Sequence, residues 1–381
     1  MTSFDAELEH RLDAIRRQHL LRGLRRVDSP QSTRVTIDSR AFLNFSSNDY
    51  LGLANHPALK NAAIEAIKKY GAGTGASRLV CGSLSPFHEL EETLAVFKGT
   101  EAALTFSTGY ATSLGAITAL IGKEDIIAMD KLVHASIVDA AKLSGAKMRI
   151  FPHNDLEALE DILKWATTRT KGTAARTLVV TESIFSMDGD AAPLKEMVKL
   201  KDKYGVWLMV DEAHATGLYG KKQRGLIEAM GLSGQIEVQM GTLGKAIGAS
   251  GGYICGSRAL VDLLINRARS FIFSTAPVPA AAASAKVGID LIGSSEGRKL
   301  NDTLWGRIEK FKNSFPKTKI ASAIIPIILG DETKAIAVAT QLYDKNILVP
   351  AIRYPTVRRG AARLRVTLNA AHSLQDMEKL V

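Results

Sequence analysis

The chain has 381 residues, an apolar fraction of 46%, a charged fraction of 23% and a net charge of +10. This length and composition are typical of a soluble globular protein with one large domain and a smaller one. The positive charge favours anionic partners, but it does not distinguish nucleic acids from phosphate-bearing cofactors. No apolar run approaches the roughly 18 residues that span a bilayer.

The N-terminus and the cysteines bear on where the protein works. The acidic residues Asp5, Glu7 and Glu9 argue against a secretory signal and against a transit peptide. The two cysteines, Cys81 and Cys255, are far apart and form neither a metal-binding pattern nor a disulfide framework. We therefore expect a cytoplasmic protein without a metal site and without a membrane partner.

The first 50 residues predict an N-terminal segment with one helix and two short strands. Residues from about 5 to 26 have helical periodicity, and arginines accumulate toward the end of that stretch. After a turn that contains Pro30, the segments Arg34–Ile37 and Ala41–Phe45 resemble short strands.

Residues 51–285 are predicted to form a large α/β domain. Helical stretches alternate there with short apolar segments. Such alternation requires crossover connections and predicts a mostly parallel, buried sheet. The clearest predicted strands are Ala103–Phe106, Ile126–Asp130, Met148–Phe151, Thr177–Thr181, Trp207–Asp211, Val238–Gly241 and Tyr253–Cys255.

The pattern changes near Pro277–Pro279, where an alanine-rich helix begins. Residues 286–381 are predicted to form a smaller α+β domain, because strands and helices are interleaved there. Its predicted strands are Ile324–Leu329, Leu348–Ile352 and Leu364–Leu368. The predicted fold class is therefore α/β with a compact C-terminal α+β domain.

Polar residues follow several of these strands, at the edge where a parallel sheet binds its ligands. Ser107–Tyr110 follows the strand Ala103–Phe106 and precedes a helix over Ala111–Leu120. Free amide groups at a helix N-terminus, beside the small Gly109, can bind a phosphate group. An ordinary helix cap by a serine or threonine explains the same residues. This loop alone therefore does not identify a ligand.

The strand Trp207–Asp211 ends in Val-Asp-Glu-Ala-His. A carboxylate at Asp211 can keep a pyridine nitrogen protonated, as the electron-sink chemistry of pyridoxal phosphate requires. His214 lies three residues further on and can reach a neighbouring group such as the phenolic oxygen of that cofactor. The sequence Asp-Glu-Ala-His also occurs in helicases, but the phosphate-binding motif that a helicase needs is absent from the chain.

A lysine surrounded by small and apolar residues follows the next strand, in Gly-Thr-Leu-Gly-Lys-Ala-Ile-Gly (241–248). Desolvation and a nearby cation lower the pKa of a lysine, which favours Schiff-base formation at Lys245. Thr242 can add a hydroxyl group to a phosphate site. A solvated surface lysine is the alternative interpretation, and Asp211 one strand earlier argues against it.

Two further strand ends carry polar side chains. His134 follows the strand that ends at Asp130, and its imidazole can either stack on a flat ring or cap the helix that comes next. Glu182, Ser186 and Asp188 lie together in the loop after another strand. So many polar residues in one strand-end loop indicate an active-site loop.

These segments resemble the α-oxoamine synthase family. The motifs occur in the family's order from about residue 10 to the C-terminus, so the resemblance covers nearly the whole chain. Each motif is moderately specific, and the ordered set is very specific. The motifs are Ser-Asn-Asp-Tyr-Leu-Gly (47–52), Phe-Ser-Met-Asp-Gly-Asp (185–190), Asp-Glu-Ala-His-Ala-Thr-Gly (211–217), Thr-Leu-Gly-Lys-Ala-Ile-Gly (242–248), Phe-Ser-Thr-Ala-Pro-Val-Pro (273–279) and Arg-Leu-Arg-Val-Thr-Leu-Asn-Ala-Ala-His (363–372).

The resemblance implies a fold-type I pyridoxal 5′-phosphate enzyme that works as a homodimer, with active sites at the subunit interface. Such an enzyme condenses an amino acid with an acyl thioester and releases carbon dioxide. The implied catalytic residues are Lys245, His134, Asp211 and His214. The implied cofactor-binding residues are Gly109, Tyr110, His134, Ser186, Asp211, His214, Thr242, Lys245, Ser274 and Thr275. The implied substrate-binding residues are Arg22, Asn48, His134, Thr356 and Arg365.

The resemblance also implies a separate role for each of these residues. Lys245 would carry the cofactor, His134 would stack on its ring, and Asp211 would pair with its pyridine nitrogen. Arg365 would bind the carboxylate of the amino acid. Two residues, Ser274 and Thr275, would act from the neighbouring subunit.

Within the family, the branch that joins L-alanine to pimeloyl-CoA or pimeloyl-acyl carrier protein, giving 8-amino-7-oxononanoate for biotin, is the most similar. Glycine C-acetyltransferase is the second most similar branch. The sequence leaves the acyl chain length and the thiol carrier open. The segments that carry the closer similarity are Asn48–Gly52, His153–Asp155, Ala351–Arg353, Pro355–Val357 and Asn369–His372.

Three other functions fit the sequence less well. A nucleic-acid-binding protein would interleave aromatic residues with its basic ones, yet aromatics make up only 6% of the chain. A nicotinamide-dependent dehydrogenase would need a complete glycine fingerprint after a strand, and the glycines at 71, 73 and 75 do not supply it. An aminotransferase would share Asp211 and Lys245, but it would accumulate the pyridoxamine form of the cofactor with alanine.

Overall fold

The computed structural model describes residues 2–314 and 320–380. Its contacts divide the chain into two compact units. The larger unit comprises Asn48–Ser186 and Asp190–Trp305, and the smaller unit comprises Met1–Ser47, Met187–Gly189 and Gly306–Val381. The smaller unit thus contains both ends of the chain, which the sequence had assigned to separate segments. The three-part division predicted from the sequence stays a prediction.

The secondary structure alternates between helices and strands through most of the larger unit. The elements in chain order are α1 Ser3–Arg17, β1 Arg34–Ile37, β2 Arg40–Asn44, α2 Pro57–Tyr70, α3 Ser85–Lys98, β3 Ala102–Phe106, α4 Gly109–Leu120, β4 Ile126–Asp130, α5 Ala135–Ser144, β5 Lys147–Phe151, α6 Leu156–Thr170, β6 Thr177–Glu182, α7 Leu194–Tyr204, β7 Trp207–Asp211, α8 Leu226–Ala229, β8 Val238–Thr242, β9 Gly252–Gly256, α9 Arg258–Arg267, α10 Arg269–Ile272, α11 Pro279–Gly293, α12 Ser295–Ser314, β10 Ile324–Gly330, α13 Glu332–Asp344, β11 Ile347–Leu348, β12 Ala351–Ile352, β13 Ala362–Thr367 and α14 Leu374–Glu378.

The larger unit is built around a seven-stranded sheet in the order β3-β9-β8-β7-β6-β4-β5. Strand β9 runs opposite to the other six strands, so the prediction of a mostly parallel sheet is confirmed. The central strands are apolar along most of their length because helices cover both faces of such a sheet. Ile127, Val180 and Met209 are examples of side chains that are fully buried in this core.

The parallel strands bring four chemically active positions to one edge of the sheet. Strands β4, β6, β7 and β8 run in the same direction, so their carboxyl ends lie side by side. Ligands of α/β proteins bind beyond this edge. The residues at these four ends are Asp130, Glu182, Asp211 and Thr242.

The smaller unit contains two three-stranded sheets, β1-β2-β11 and β10-β13-β12. In the first sheet, Val35 and Phe42 are buried and pack with Tyr343 and Leu348. In the second, β13 is buried along its whole length and pairs antiparallel with both neighbours. Among the residues that the structure describes, no helix is both long enough and apolar enough to cross a membrane.

The N-terminal helix is shorter than predicted. Helix α1 ends at Arg17, so the helix predicted for residues 5–26 was wrong over residues 18–26. His19 has a φ of +57°, a left-handed conformation that ends a helix. The carbonyl groups of His19 and Leu21 accept hydrogen bonds from the side chain of Arg353, not from a further helical turn.

The strand predicted over Leu348–Ile352 is two strands. Strand β11 pairs in parallel with β2, whereas β12 pairs antiparallel with β13. Pro350 lies between them and has no N–H group to donate to a continuous ladder. The other predicted strands agree with the structure within two residues at each end.

Candidate active site

Lys245 is part of a chain of polar side chains that begins just after β8. Its Nζ lies 2.9 Å from Nε2 of His214, and Nδ1 of the same imidazole lies 2.5 Å from the hydroxyl oxygen of Tyr50. The Tyr50 hydroxyl also lies 3.4 Å from Oδ1 of Asn48. Because a neutral imidazole carries one proton, His214 donates at one of its two bonds and accepts at the other. The arrangement can therefore hold or move a proton at the lysine nitrogen.

The structure brings Lys245 and His214 together, as residues of one site should be. Tyr50 lies in the motif at residues 47–52, but no role for it could be predicted from the sequence. Tyr50 is 1% exposed, and a buried hydroxyl group requires a hydrogen-bonding partner.

Two carboxyl groups lie next to each other at the ends of β6 and β7. Glu182 and Asp211 are direct partners in the register of these strands, and both are buried. Asp211 accepts a hydrogen bond from the backbone N–H of Ala213 at 2.9 Å. Burial, and then the charge of Asp211, raise the pKa of Glu182 to about 8. From the sequence, Glu182 was predicted only to be one of several polar residues in a strand-end loop.

His134 caps helix α5. Its Nδ1 accepts a hydrogen bond from the backbone N–H of Ser136 at 3.2 Å and lies 2.8 Å from the hydroxyl oxygen of the same serine. The helix-capping interpretation is therefore correct, and stacking on a cofactor ring stays a prediction. His134 is exposed to solvent on one side. Desolvation by the surrounding protein nevertheless lowers the pKa of its imidazole, which favours the neutral form. With Nδ1 as an acceptor, the proton of this neutral ring is on Nε2.

The start of helix α4 has the properties of a phosphate site. Thr108 caps the helix by accepting the N–H of Ala111 at 3.0 Å, so the ordinary cap is present. A methyl group added at Gly109 would lie 2.6 Å from Cγ2 of Thr242, so only glycine allows this close approach. The Thr242 hydroxyl oxygen is buried and has no hydrogen-bond partner among the described residues. An unsatisfied buried hydroxyl beside a helix N-terminus fits a phosphate group.

Tyr110 and the segment Ser274–Thr275 lie at the surface of the larger unit. The Tyr110 hydroxyl donates to Oδ2 of Asp139 at 2.6 Å. Thr275 forms an antiparallel bridge with Ser77 and is exposed, while Ser274 is half-buried. A contribution of Ser274 and Thr275 to a neighbouring subunit stays a prediction.

His153, which lies in one of the segments of closer family similarity, joins two strand-end loops. Nδ1 of His153 lies 3.1 Å from Oδ1 of Asp130, and its Nε2 lies 2.8 Å from Oδ2 of Asp190. Burial alone would lower the pKa of His153, but the hydrogen bonds with the two carboxylates raise it to about 10. The charged imidazole thus connects the end of β4, which precedes His134, to the loop that follows Ser186.

A second ion pair stabilises the segment that follows Asp211. Nζ of Lys98 lies 2.5 Å from Oε2 of Glu212, and the two side chains are 1% and 0% exposed. The other oxygen of Glu212 accepts the backbone N–H of Ile227 at 2.9 Å. The carboxylate next to Asp211 in sequence is therefore fully paired and is not available for a ligand.

Three predicted substrate-binding residues belong to the smaller unit. Arg365 lies in β13, is 5% exposed, and donates to the hydroxyl of Thr367 at 3.0 Å. Arg22 is exposed and donates to the carbonyl of Tyr354 at 3.0 Å. Thr356 is exposed. The fourth such residue, Asn48, lies in the larger unit and contacts Tyr50 as described above.

No group of three or more histidine, cysteine or acidic side chains within residues 2–314 and 320–380 is arranged to hold a metal ion. The side chains described above that can hold or transfer a proton include those of Lys245, His134, His214 and Tyr50. These groups suit acid–base and Schiff-base chemistry.

Residues 40–381 match the family described as Aminotransferase class I and II. The chain belongs to this family. The resemblance found in the sequence motifs is thereby confirmed, and this aminotransferase-family chain is an enzyme of the pyridoxal phosphate-dependent acyltransferase type.

Two curated relatives that share one enzyme name are similar to this chain over nearly its whole length. The chain is 46% identical to the 8-amino-7-oxononanoate synthase of Geobacter sulfurreducens, over 97% of this chain and 95% of that protein. It is 42% identical to the 8-amino-7-oxononanoate synthase of Thermoanaerobacter pseudethanolicus, over 97% of this chain and 94% of that protein. The aminotransferase-family chain therefore matches these synthases over almost their whole length.

Solved structures confirm the predicted fold class. Sphingomonas wittichii serine palmitoyltransferase superposes with a TM-score of 0.90 at 30% identity, covering 100% of this chain and 95% of that one. The 8-amino-7-oxononanoate synthase of Francisella tularensis superposes with a TM-score of 0.75 at 28% identity, covering 89% of this chain and 95% of that one. Another similar structure, with a TM-score of 0.90 at 29% identity, covering 99% of this chain and 95% of that one, contains pyridoxal phosphate. The fold is that of a fold-type I pyridoxal phosphate transferase.

Proposed function

We propose that this enzyme condenses L-alanine with pimeloyl-CoA or pimeloyl-acyl carrier protein to 8-amino-7-oxononanoate in biotin biosynthesis. Carbon dioxide and the thiol carrier are the other products. The observation that carries the proposal is the hydrogen-bonded chain Lys245–His214–Tyr50 beside the buried carboxylate of Asp211. Relatives that are similar over nearly the full length of the chain are named 8-amino-7-oxononanoate synthase, which supports this particular reaction.

The residues at the strand ends fit pyridoxal 5′-phosphate as the cofactor. When bound, this group supplies the electron sink that carbanion chemistry and decarboxylation at an amino-acid Cα require. Asp211 would hold the proton of the pyridine nitrogen, and Thr242 would donate its unsatisfied hydroxyl to the phosphate. The backbone at Gly109 and Tyr110 would complete the phosphate site, with Ser274 and Thr275 of a second subunit. Ser186 and His214 would lie near the phenolic oxygen.

Lys245 is the proposed attachment point and base. A lysine acts in either role only as the neutral amine, so its proton must have somewhere to go. Nε2 of His214, at 2.9 Å, can accept that proton when its Nδ1 carries the hydrogen that faces Tyr50. The imidazole can then return the proton without rearrangement of the side chains.

Arg365 is the proposed receptor for the alanine carboxylate. A guanidinium group offers parallel donors that match a carboxylate, and burial strengthens the interaction. Nη1 of Arg365 donates a hydrogen bond to the hydroxyl oxygen of Thr367. Arg22, Thr356 and Asn48 are the other proposed substrate contacts, with Arg22 and Thr356 on the acyl side.

The arginine-rich segments of the smaller unit suit an anionic thiol carrier. Residues 16–26 and 353–365 each contain five arginines and no acidic residue. The segments contact each other, because Arg22 donates to Tyr354 and Arg359 donates to Gln18 at 2.7 Å. Arg363 and Arg365 are buried, so the other arginines of these segments form the basic surface. Coenzyme A and acyl carrier proteins are both anionic, so this surface supports both carriers. We further propose that the enzyme is a cytoplasmic homodimer.

Absorbance spectroscopy combined with a product assay tests the proposal. The purified protein with pyridoxal phosphate is expected to show a visible absorption band that responds to L-alanine, and to form 8-amino-7-oxononanoate from L-alanine and pimeloyl-CoA. K245A should lose the band and the product, whereas K195A, at an exposed position of α7, should keep both. A response limited to glycine and acetyl-CoA would assign the protein to the glycine C-acetyltransferase branch. A protein that stays colourless with pyridoxal phosphate would contradict the proposal altogether.

A further inference from the structure

The buried carboxyl group of Glu182 has a position that the proposed mechanism does not use. It lies at the carboxyl end of β6, 2% exposed, opposite Asp211 in the register of β6 and β7. Its Oε2 accepts the backbone N–H of Ser186 at 3.0 Å. Its Oε1 is buried and has no hydrogen-bond partner among residues 2–314 and 320–380.

The charged and titratable groups that face Glu182 come from three elements. Asp211 of β7 repels a charge on Glu182, and Lys245 beyond β8 partly offsets that repulsion. His134, before α5, presents its backbone N–H to the same carboxyl group and stabilises the ionised form only weakly. The Lys245 amine also lies 2.9 Å from Nε2 of His214.

Two carboxyl groups that are side by side and removed from water cannot both be ionised without strong repulsion. Asp211 has a backbone hydrogen bond of its own and precedes the loop that carries His214. Oε1 of Glu182 has no hydrogen-bond partner by distance and angle among the residues that the structure describes. The proton that the pair must hold therefore belongs on Glu182.

We propose that Glu182 is a positioning residue that remains protonated at neutral pH, so that Asp211 supplies the only negative charge of this carboxyl pair. Through Oε2, Glu182 also fixes the backbone at Ser186, the start of the loop after β6. The positioning role rests on the proposed function, because it concerns how Ser186 and Asp211 face the cofactor. The protonation state does not depend on the reaction.

The stability of the protein should reflect this proton. Burial and Asp211 raise the pKa of Glu182 from 4.5 to about 8 in the folded protein. Between these values the unfolded chain releases the proton while the folded protein keeps it, so stability falls as pH rises through this window. The neutral amide of E182Q removes this contribution. The midpoint of thermal unfolding should therefore decrease less between pH 5 and about pH 8 in E182Q than in wild type.

Infrared spectroscopy of the holoenzyme tests the protonation state directly. The difference spectrum of wild type minus E182Q at about pH 6 should contain the carbonyl stretch of a protonated carboxylic acid, and the band should disappear as the pH is raised through about 8. The matched control is E92Q, because Glu92 is exposed. The acid band should be absent from its difference spectrum. Absence of the acid band from the Glu182 difference spectrum would overturn the proposal.

A measurement on the wild-type chain covers the case in which E182Q does not fold. With 13C-labelled glutamate side chains, one carboxyl carbon should titrate near pH 8. If every resolved glutamate titrates below pH 6, the proposal is wrong. For the positioning role, E182A should bind pyridoxal phosphate less tightly than E182Q, whereas equal affinities would contradict it.

The two proposals fail in distinguishable ways. A protein that never binds pyridoxal phosphate contradicts the proposed function, yet its Glu182 can still show the acid band. An active synthase without the acid band contradicts only the inference about Glu182.

Discussion

Two pairs of carboxyl groups lie at the same edge of the seven-stranded sheet, and they differ in what stands between them. Asp130 and Asp190 share the imidazole of His153, which contacts both at 3.2 Å or less. Glu182 and Asp211 are neighbours in strand register, and no side chain among the described residues forms an ion pair that bridges them; Lys245 only partly offsets their repulsion. The carboxylates of the first pair raise the pKa of His153. In the second pair, burial and then the charge of Asp211 raise the pKa of Glu182.

This difference shows how one sheet edge can hold both structural and reactive carboxyl groups. A carboxylate pair with a cation between them is electrically satisfied and connects loops. A pair without one must retain a proton and keeps a single negative charge facing the site. Glu212 extends the comparison, because it adjoins Asp211 in sequence yet has its own buried cation in Lys98.

The largest effect on stability is expected where the cation of a fully buried carboxylate is removed. K98M leaves Glu212 buried and charged without its partner, which should lower the free energy of unfolding by about 3–5 kcal/mol. Chemical denaturation at neutral pH measures this change. A loss below about 1 kcal/mol would show that Glu212 does not depend on Lys98 for its charge.

Activity should also fall strongly where the single negative charge of the carboxyl pair is removed. D211N should lower kcat with L-alanine and pimeloyl-CoA by at least about 100-fold, because an aligned charge in a buried site is lost. It should also lower the pKa of Glu182, since the repulsion from Asp211 disappears.

Steady-state kinetics and infrared titration measure these two effects of D211N. The control D262N lies on the exposed face of α9 and should behave as wild type. A D211N enzyme with activity within tenfold of wild type would contradict the assignment of Asp211 as the charged carboxylate of its pair.

A smaller effect on stability is expected at the cation-bridged pair. H153Q should destabilise the protein by about 1–3 kcal/mol at pH 6, because charge-assisted hydrogen bonds to Asp130 and Asp190 are lost. His153 is charged up to about pH 10 in the folded protein but only to about 6.5 in the unfolded chain. Its stabilisation is therefore complete below pH 6.5 and decreases as pH rises toward 10.

Denaturant titrations of wild type and H153Q at pH 6 and at about pH 9.5 measure this trend. The difference in stability should be smaller at the higher pH. The control H88Q removes an exposed histidine whose partner is the hydroxyl of Ser83, so no comparable pH dependence is expected. A difference between wild type and H153Q that grows with pH would contradict the assignment of a charged bridge.

The smallest effect is expected at an exposed ion pair. Lys68 and Glu65 lie 2.8 Å apart on the surface of α2, with side chains that are 67% and 70% exposed. K68M should change the free energy of unfolding by less than about 0.5 kcal/mol. Because K98M makes the same substitution at a buried lysine, the two variants together separate the effect of burial from that of charge. Equal losses in both would refute that separation.

Much of this edge could be predicted from the sequence, because strand periodicity and strand ends are local properties. The positions of Asp211 and Thr242 follow from the apolar segments that precede them, and the mostly parallel sheet follows from the alternation of elements. The helix after Arg17 and the strand across Pro350 were mispredicted, because tertiary hydrogen bonds and a change of sheet decide the structure there.

The protonation states of the site could not be predicted in this way, because they depend on contacts that are distant in sequence. His153 lies 23 residues from Asp130 and 37 residues from Asp190. Tyr50 lies 164 residues from His214. No local pattern indicates that Glu182 lies beside Asp211, since that property depends on how the strands are placed side by side.

The fate of the alanine carboxyl group tests the central claim most directly. The holoenzyme is incubated with pimeloyl-CoA and L-alanine labelled at the carboxyl carbon. The account predicts labelled carbon dioxide, 8-amino-7-oxononanoate and free coenzyme A in equal amounts. Label that remains in pyruvate, with no coenzyme A released, would show transamination and would contradict the account.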